Sequence, residues 1–477
     1  MNADPPGPIR TYGGDPRPHL VDRVVSRLGA RAVVAGRPGL GYLLIEVVPC
    51  VVWMQITGAL SQDFFYFITF LTLLGADNRV LEGLLLVTTA GGVAQGALVL
   101  SRPPTDPKWI CVRDTLIGRI LWLGTVLWPL ALWWLWPADV ASPWRPWALY
   151  GGVLGIVFAA TATHNAGGSA FVIWTQALVP RELRGRFYAW RNLAGFLATA
   201  VTLLAVNLVV PRAQAGDPAQ LPWLGGLLLT VTVLCIASSW WLAQVPAPTA
   251  AVPRAHAPLW PLVRANHPYL RLVAYAMLNS AAVAASAAFQ PKLWQDAGAD
   301  VALMAHWQAL AQYPAMFAGA VAAGWLLPRL HGRVLLLGGH ALLITSEIGL
   351  LALAGHPSTL PWLMPIVLVG AGLARATVAV AAISRLQEIA PPGDVRFPAI
   401  YTALFSLVAM VMATVVIGDL GWLETAWGKA RVPWILVASG VVLRVLALLP
   451  LAWPDRSHRD GSWQDGRTSG LESGPAR

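Results

Sequence analysis

The stretch "ALVPRELRGRFYAWRN" at positions 177–192 places four arginines and one glutamate between two long apolar runs. The run before it includes "GGSAFVIWTQ", and the run after it is "LAGFLATAVTLLAVNLVV". About 20 apolar residues suffice to cross a bilayer as a helix, whereas clustered arginines resist transfer across it. The turn is therefore predicted to join two transmembrane helices on the side that retains positive charge.

The whole chain has the composition of a membrane protein. Of its 477 residues, 56% are hydrophobic and 12% are charged, against about 25% charged residues in a soluble domain. The formal net charge is +10, but most arginines fall between apolar runs. We interpret them as topology signals rather than as a nucleic-acid surface.

Twelve apolar runs are long enough to be transmembrane helices. They are 41–73, 78–100, 116–137, 147–179, 188–211, 222–243, 268–294, 302–328, 334–355, 361–389, 397–419 and 433–453. Basic residues concentrate in alternate connections, so the positive-inside rule predicts that both termini are cytoplasmic and that the protein lies in the inner membrane. The first 40 residues contain no early apolar core and read as a flexible basic tail rather than a signal peptide.

A linker rich in proline and alanine divides the runs into two sets of six. The predicted organisation is a tail at 1–40, a six-helix bundle at 41–243, a linker at 244–267, a second bundle at 268–453 and a tail at 454–477. Gly-Ala-Asp occurs at 75–77 and again at 298–300, each time between the first two runs of a half. Pro180 with Arg186-Phe187 also corresponds loosely to Pro391 with Arg396-Phe397. These matches indicate an internal repeat.

This plan resembles the major facilitator superfamily over 41–453. The "LVP…RGRFYAWRN" turn is similar to the connection between the fourth and fifth helices of a bacterial branch. "GWLLPRLHGRVLLL" at 324–337 is similar to the Gly-x-Leu-x-Asp-Arg-x-Gly-Arg signature, with Pro328 in place of the acid. The resemblance implies an all-α fold of two six-helix bundles and a secondary transporter that works by alternating access. The expected partners are a small solute, protons and the lipid bilayer, with an anion as one candidate for the solute, and the expected state is a monomer.

Ionisable residues inside a span cost about 2.5–3.5 kcal/mol on insertion scales, so they are candidates for function. The candidates for a substrate or ion pathway are Asp63, His164, Asn165, Arg375 and Glu347. Asp63 either carries a proton or cation, contacts a polar substrate, or lies at the outer surface. His164 either changes charge or is a neutral, hydrogen-bonded imidazole. Arg375 either binds an anion or forms a structural pair with Glu347 or Asp63.

For other charged residues we also consider roles in structure or at the membrane surface. Glu347 and Arg444 are alternatively members of structural pairs, and each is a candidate partner for the other. Glu46 and Arg119 lie near predicted span ends and are expected at the membrane interface. The candidates for a cytoplasmic gate or lipid anchor are Arg181, Arg184, Arg186, Arg191, Arg329 and Arg333, and Arg191 could pair with an acid across the cytoplasmic gate.

The sequence contains no phosphate-binding Walker loop, no metal-ligand spacing and no nucleophile elbow. No enzymatic activity and no cofactor are therefore predicted. Two alternatives remain open at this point. One is a polytopic membrane enzyme acting on lipid-linked substrates, and the other is a membrane assembly protein that does not transport.

Overall fold

The computed structural model describes residues 20–27, 34, 39–57, 65–75, 78–101, 106–136, 144–209, 220–247, 258–286, 306–391, 394–418, 420–428 and 431–452. Within these ranges the chain is helical and contains no β-strand. The helices of the first half are α1 (Leu20–Val25), α2 (Gly41–Thr57), α3 (Phe65–Leu73), α4 (Asn78–Leu100), α5 (Pro107–Leu135), α6 (Trp144–Leu178), α7 (Arg181–Val209) and α8 (Leu221–Gln244).

The second half continues the same pattern. Its helices are α9 (Leu259–Ala265), α10 (His267–Ser286), α11 (Tyr313–Leu326), α12 (Gly332–Gly355), α13 (Leu360–Ile389), α14 (Arg396–Gly418), α15 (Leu420–Trp427) and α16 (Val432–Ala452). A π-helical turn, Gln308–Gln312, leads into α11. Each predicted span contains a helix, and the long first span contains two, α2 and α3.

Seven of the described helices are long and apolar enough to cross a bilayer on their own: α5, α6, α8, α12, α13, α14 and α16. Exposed tryptophans lie near helix ends on both sides of the bundle, with Trp134 and Trp362 at one side and Trp240 and Trp325 at the side where α6 joins α7. Tryptophan favours the membrane–water interface because its ring is apolar and its N–H is polar. Their placement agrees with a bundle embedded in a membrane.

Glycines allow equivalent helices of the two halves to pack closely. A Cβ on Gly91 of α4 would lie 2.9 Å from the Phe158 carbonyl oxygen of α6. A Cβ on Gly319 of α11 would lie 2.6 Å from the Leu373 carbonyl oxygen of α13. Small residues are what lets membrane helices approach to backbone contact. The second and fourth spans of each half therefore meet in the same way.

The segment predicted as a basic tail is partly folded. Asp22 of α1 is buried, and its carboxylate accepts hydrogen bonds of 2.8 Å from the backbone N–H groups of Gly39 and Gly41. These bonds satisfy donors at the start of α2, which helices otherwise leave unpaired. The expectation of a flexible tail is wrong for this segment. The predicted linker likewise contains the short helix α9.

Candidate functional site

The two halves meet along two pairs of helices, α4 with α14 and α7 with α11. Both contacts depend on small residues. A Cβ on Gly96 of α4 would lie 2.6 Å from the Cβ of Ala403, and one on Gly324 of α11 would lie 2.3 Å from the Cβ of Ala189. The interface therefore brings helices of opposite halves as close together as helices within one half.

The halves also exchange hydrogen bonds where α6 joins α7 and α13 joins α14, which we call the arginine-rich side. Gln387 of α13 donates from Nε2 to the Val172 carbonyl oxygen at 2.7 Å, to the Thr175 hydroxyl at 3.0 Å and to the Tyr188 hydroxyl at 2.7 Å. Thr175 and Tyr188 share a further hydrogen bond of 2.8 Å.

Gln176 makes the reciprocal contact. Its Nε2 donates to the Gln387 carbonyl oxygen at 2.7 Å and to the Ala390 carbonyl oxygen at 3.3 Å. We call Thr175, Gln176, Tyr188 and Gln387 the closure network. All four side chains are uncharged, although arginines lie within a few residues of them. The described conformation is thus held together at the arginine-rich side by neutral hydrogen bonds.

Arg375 lies midway along α13, and its side chain is exposed. On the same helix Gly370 packs against Ser346 of α12, and Gly372 packs against Gln312. The exposed Ile366 lies nine residues before Arg375, which at about 100° per residue places the two on opposite faces. No carboxylate of the described residues is found in an ion pair with Arg375.

His164 and Asn165 occupy different environments. The His164 ring packs edge-on against Trp53 of α2 with 5.4 Å between ring centroids, and its buried Nδ1 has no hydrogen-bond partner among the described residues. Asn165 is half-buried near Gly92, which in turn packs against Ser406 of α14. The described contacts do not bring either residue to Arg375. Asp63 lies outside the described residues.

A buried cluster of Glu46, Arg119 and Arg191 lies inside the first half. Glu46 and Arg119 are each only 1% exposed, so the expectation that they lie at the membrane interface is wrong. Arg119 donates to a Glu46 carboxylate oxygen, and also to the Cys235 carbonyl oxygen at 2.9 Å. It donates further to the hydroxyls of Ser238 at 3.1 Å and Ser239 at 2.9 Å. These bonds connect α2, α5 and α8.

Arg191 completes this cluster from α7. Its guanidinium lies 3.5 Å from the second Glu46 oxygen and 4.2 Å above the Phe171 ring. In the described conformation Arg191 thus contacts an acid of its own half, Glu46, rather than one across the gate. The helix register explains this arrangement, since Gly195, one turn further along α7, packs against Val51 of α2.

The second half has a buried ion pair of its own. Arg444 of α16 donates from Nε to Glu347 of α12 at 2.7 Å, and it donates to the Asn279 side-chain oxygen of α10 at 2.7 Å. The structure thus contains the pair of Glu347 and Arg444 that the sequence analysis gave as an alternative. Because Glu347 is engaged with Arg444, it is not the structural partner of Arg375.

The remaining gate and anchor candidates lie at the arginine-rich side. Arg184 donates to the carbonyl oxygens of Gln176 at 2.9 Å and Val179 at 3.1 Å, which end α6. Arg333 donates to the carbonyl oxygens of Leu451 and Ala452, which end α16. Arg329 stacks on Trp325, and Arg186 is exposed. The side chain of Arg181 lies outside the described residues. In the part of the chain that the structure describes, no group of three His, Cys, Asp or Glu side chains is placed to hold a metal ion.

Comparisons with known proteins identify the architecture. No family profile and no curated protein sequence matches the chain. A solved bacterial homologue of the iron transporter ferroportin, in an outward-facing state with soaked iron, is similar at TM-score 0.60 and 14% identity over 86% of this chain and 98% of that one.

Two further solved structures are similar. The proton:xylose symporter XylE matches at TM-score 0.57 and 14% identity over 85% of this chain and 94% of that one. FucP in the outward conformation matches at TM-score 0.53 and 14% identity over 85% of this chain and 99% of that one. The chain therefore has the fold of the major facilitator superfamily, and the predicted all-α architecture of two six-helix bundles is confirmed.

Proposed function

We propose that the protein is a secondary active transporter that moves a small solute by alternating access. The observation that carries this proposal is the closure network between two halves of similar architecture. Alternating access requires two halves that rock about a central site and separate at one side when they close at the other. A network of neutral hydrogen bonds at one end of the interface suits a contact that must break and re-form.

The arginine-rich side is the cytoplasmic side in this proposal. Positive charge in short connections favours retention in the cytoplasm, which places both termini there and the protein in the inner membrane. Closure at this side then corresponds to an outward-facing conformation. The similarity to structures described as outward-facing supports this assignment.

We further propose that the solute is an anion and that Arg375 is a ligand for it. In a site of low dielectric the charge of the Arg375 guanidinium attracts an anion strongly. Arg375 lies on the face of α13 opposite the exposed apolar Ile366, and it has no ion-pair partner among the described residues. Asp63 remains our candidate for the coupled proton.

Disulfide trapping tests alternating access. Thr175→Cys with Gln387→Cys, in a variant lacking Cys50, Cys111 and Cys235, puts one thiol on each half at two side chains that bond directly, since Thr175 Oγ1 lies 3.0 Å from Gln387 Nε2. After reconstitution into proteoliposomes, oxidation should abolish flux of a solute identified by comparing metabolites of cells with and without the gene. Reduction should restore it, and each single-cysteine variant should be insensitive. Undiminished flux through a fully cross-linked protein would overturn the proposal.

Substitution of Arg375 tests the anionic solute separately. Arg375→Ala should abolish flux, and Arg375→Lys should largely do so, because lysine lacks the planar fork that binds an anionic group at two points. Arg186→Ala removes the same charge from an exposed position and should leave flux unchanged. Normal flux in Arg375→Ala would rule out the anion-binding role while leaving alternating access intact.

A further inference from the structure

The cluster of Glu46, Arg119 and Arg191 is not neutral. Two guanidinium groups face one carboxylate, and the structure shows no second carboxylate in an ion pair with either arginine within the ranges it describes. An uncompensated charge in a protein interior costs several kcal/mol. Such a charge marks a place where an additional anion would be stabilised.

The excess charge belongs to Arg191 rather than to Arg119. Arg119 is fully enclosed and donates to Glu46, to a backbone carbonyl and to two hydroxyls. Arg191 approaches Glu46 only to 3.5 Å, and its buried Nε has no acceptor among the described residues. The Nε of Arg119 has no acceptor there either, but the other nitrogens of Arg119 are bonded as above, whereas Arg191 has only this long contact. A buried donor without an acceptor costs about 1–3 kcal/mol, more when charged. An incoming oxyanion would supply that acceptor.

Arg191 is also the accessible member of the cluster. Its side chain keeps 18% of its surface exposed, against 1% for Arg119 and 2% for Glu46. The Phe171 ring covers the flat face of the guanidinium, and the N–H groups of a guanidinium point outward in its plane, away from such a ring. The planar fork of arginine matches the two oxygens of a carboxylate or phosphate group.

We propose that Arg191 is a second anion-binding residue, contributed by the first half, for the carboxylate or phosphate group of a small solute. Glu46 occupies the guanidinium when no solute is bound, and Arg119 holds Glu46 in place. Arg191 then turns from the second Glu46 oxygen to the solute, while the first Glu46 oxygen stays bonded to Arg119. This inference rests on the proposed function for its physiological meaning, but binding is measured without transport.

Thermal unfolding of the purified full-length protein in detergent tests it. The probes are acetate, succinate, citrate and inorganic phosphate at constant ionic strength, with chloride as the reference. A ligand that binds the folded state raises the Tm with the logarithm of its concentration. We expect this rise for at least one probe with the wild type and with Arg186→Gln. In Arg191→Gln we expect affinity to fall about ten- to hundredfold, as for loss of a hydrogen bond to a charged group.

A second variant, Glu46→Gln, distinguishes anion binding by Arg191 from a purely structural role of Arg191, because only anion binding predicts a change in affinity for the probe. Removing the competing carboxylate should tighten binding of the same probe, relative to the variant's own Tm without probe. The inference is overturned by any of three results: no probe raises the Tm of the wild type, Arg191→Gln retains the rise, or Glu46→Gln leaves affinity unchanged or weaker. If Arg191→Gln does not fold, the Glu46→Gln result decides. Failure of the disulfide-trapping experiment with success here would overturn alternating access alone.

Discussion

The buried pair of Glu347 and Arg444 allows a quantitative prediction about the second half. Both side chains are about 5% exposed, and Arg444 is held by Glu347 and by Asn279, each at 2.7 Å. Removing one member leaves the other as an unpaired charge in the bundle, which costs about 3–5 kcal/mol. We expect Glu347→Leu and Arg444→Met each to lower the free energy of unfolding by this amount.

The double variant should be more stable than either single variant. Replacing both charges by apolar groups removes the unpaired charge, and the Asn279 oxygen loses its bond to Arg444 at a cost of about 1–3 kcal/mol. The two single losses sum to about 6–10 kcal/mol. The coupling between the sites should therefore be at least about 3 kcal/mol.

Unfolding in mixed micelles of dodecyl maltoside with increasing SDS, followed by circular dichroism, measures these free energies. The matched control is Arg385 with Glu388, a pair at 3.0 Å that is partly open to solvent and whose loss should cost about 0.2–1 kcal/mol. Single effects that add up in the double variant would show that the buried ions do not stabilise one another. The reasoning about unpaired charge would then be wrong.

Three further predictions concern the interface between the halves, the stability of the second half and the topology. Gly96→Val should disfavour closure at the arginine-rich side, because a Cβ there would lie 2.6 Å from the Cβ of Ala403. Labelling of a cysteine at position 176 should then rise, whereas Gly168→Val, which meets no atom within 4 Å, should not change it. Arg333→Ala should lower the free energy of unfolding by about 1.5–3 kcal/mol through loss of its bonds to the end of α16, and Arg329→Ala should cost less. A reporter fused after residue 454 should be active only in the cytoplasm, and activity in the periplasm would mean that the count of twelve spans is wrong.

The helices were predictable from the sequence because lipid imposes a strong pattern. A helix in hydrocarbon satisfies its backbone internally and must be apolar over about 20 residues. Each predicted span accordingly contains a helix, and the ends of α4 at Asn78–Leu100 agree with the prediction. The long first run, 41–73, was the ambiguous one, and it contains two helices.

The buried cluster was missed because hydropathy locates apolar segments rather than helix ends. The third span was predicted to begin at 116, which put Arg119 near its start. The helix α5 begins at Pro107, where Asp106 accepts a hydrogen bond of 2.9 Å from the Lys108 N–H. Proline at the first turn with an aspartate cap is a recognisable helix start. That signal, given more weight than hydropathy, would have placed Arg119 well inside the helix.

The partners of charged residues could not be read from the sequence. Arg191 lies in a turn rich in arginine, and its charge alone suits a lipid headgroup, a gate partner or a buried acid equally well. Its register on α7 relative to α2 decides between them, and register depends on packing at Gly195 against Val51. For Glu347 the sequence left both a pathway role and a structural pair open. Only the contact with Arg444, 97 residues further along the chain, favours the structural pair.

The distribution of charge in the fold separates what must stay together from what must come apart. Buried ion pairs connect α2 with α5 in the first half and α12 with α16 in the second, so parting these helices would expose an unpaired ion to hydrocarbon. The closure network joins the halves through hydrogen bonds between uncharged groups, each worth about 0.5–1.5 kcal/mol net because water replaces them when they break. The five such bonds of this network between the halves amount to about 2.5–7.5 kcal/mol, a range that differential binding of a solute can offset. Each half is thus expected to move as a rigid body, because breaking the closure network costs less than parting the buried ion pairs inside a half.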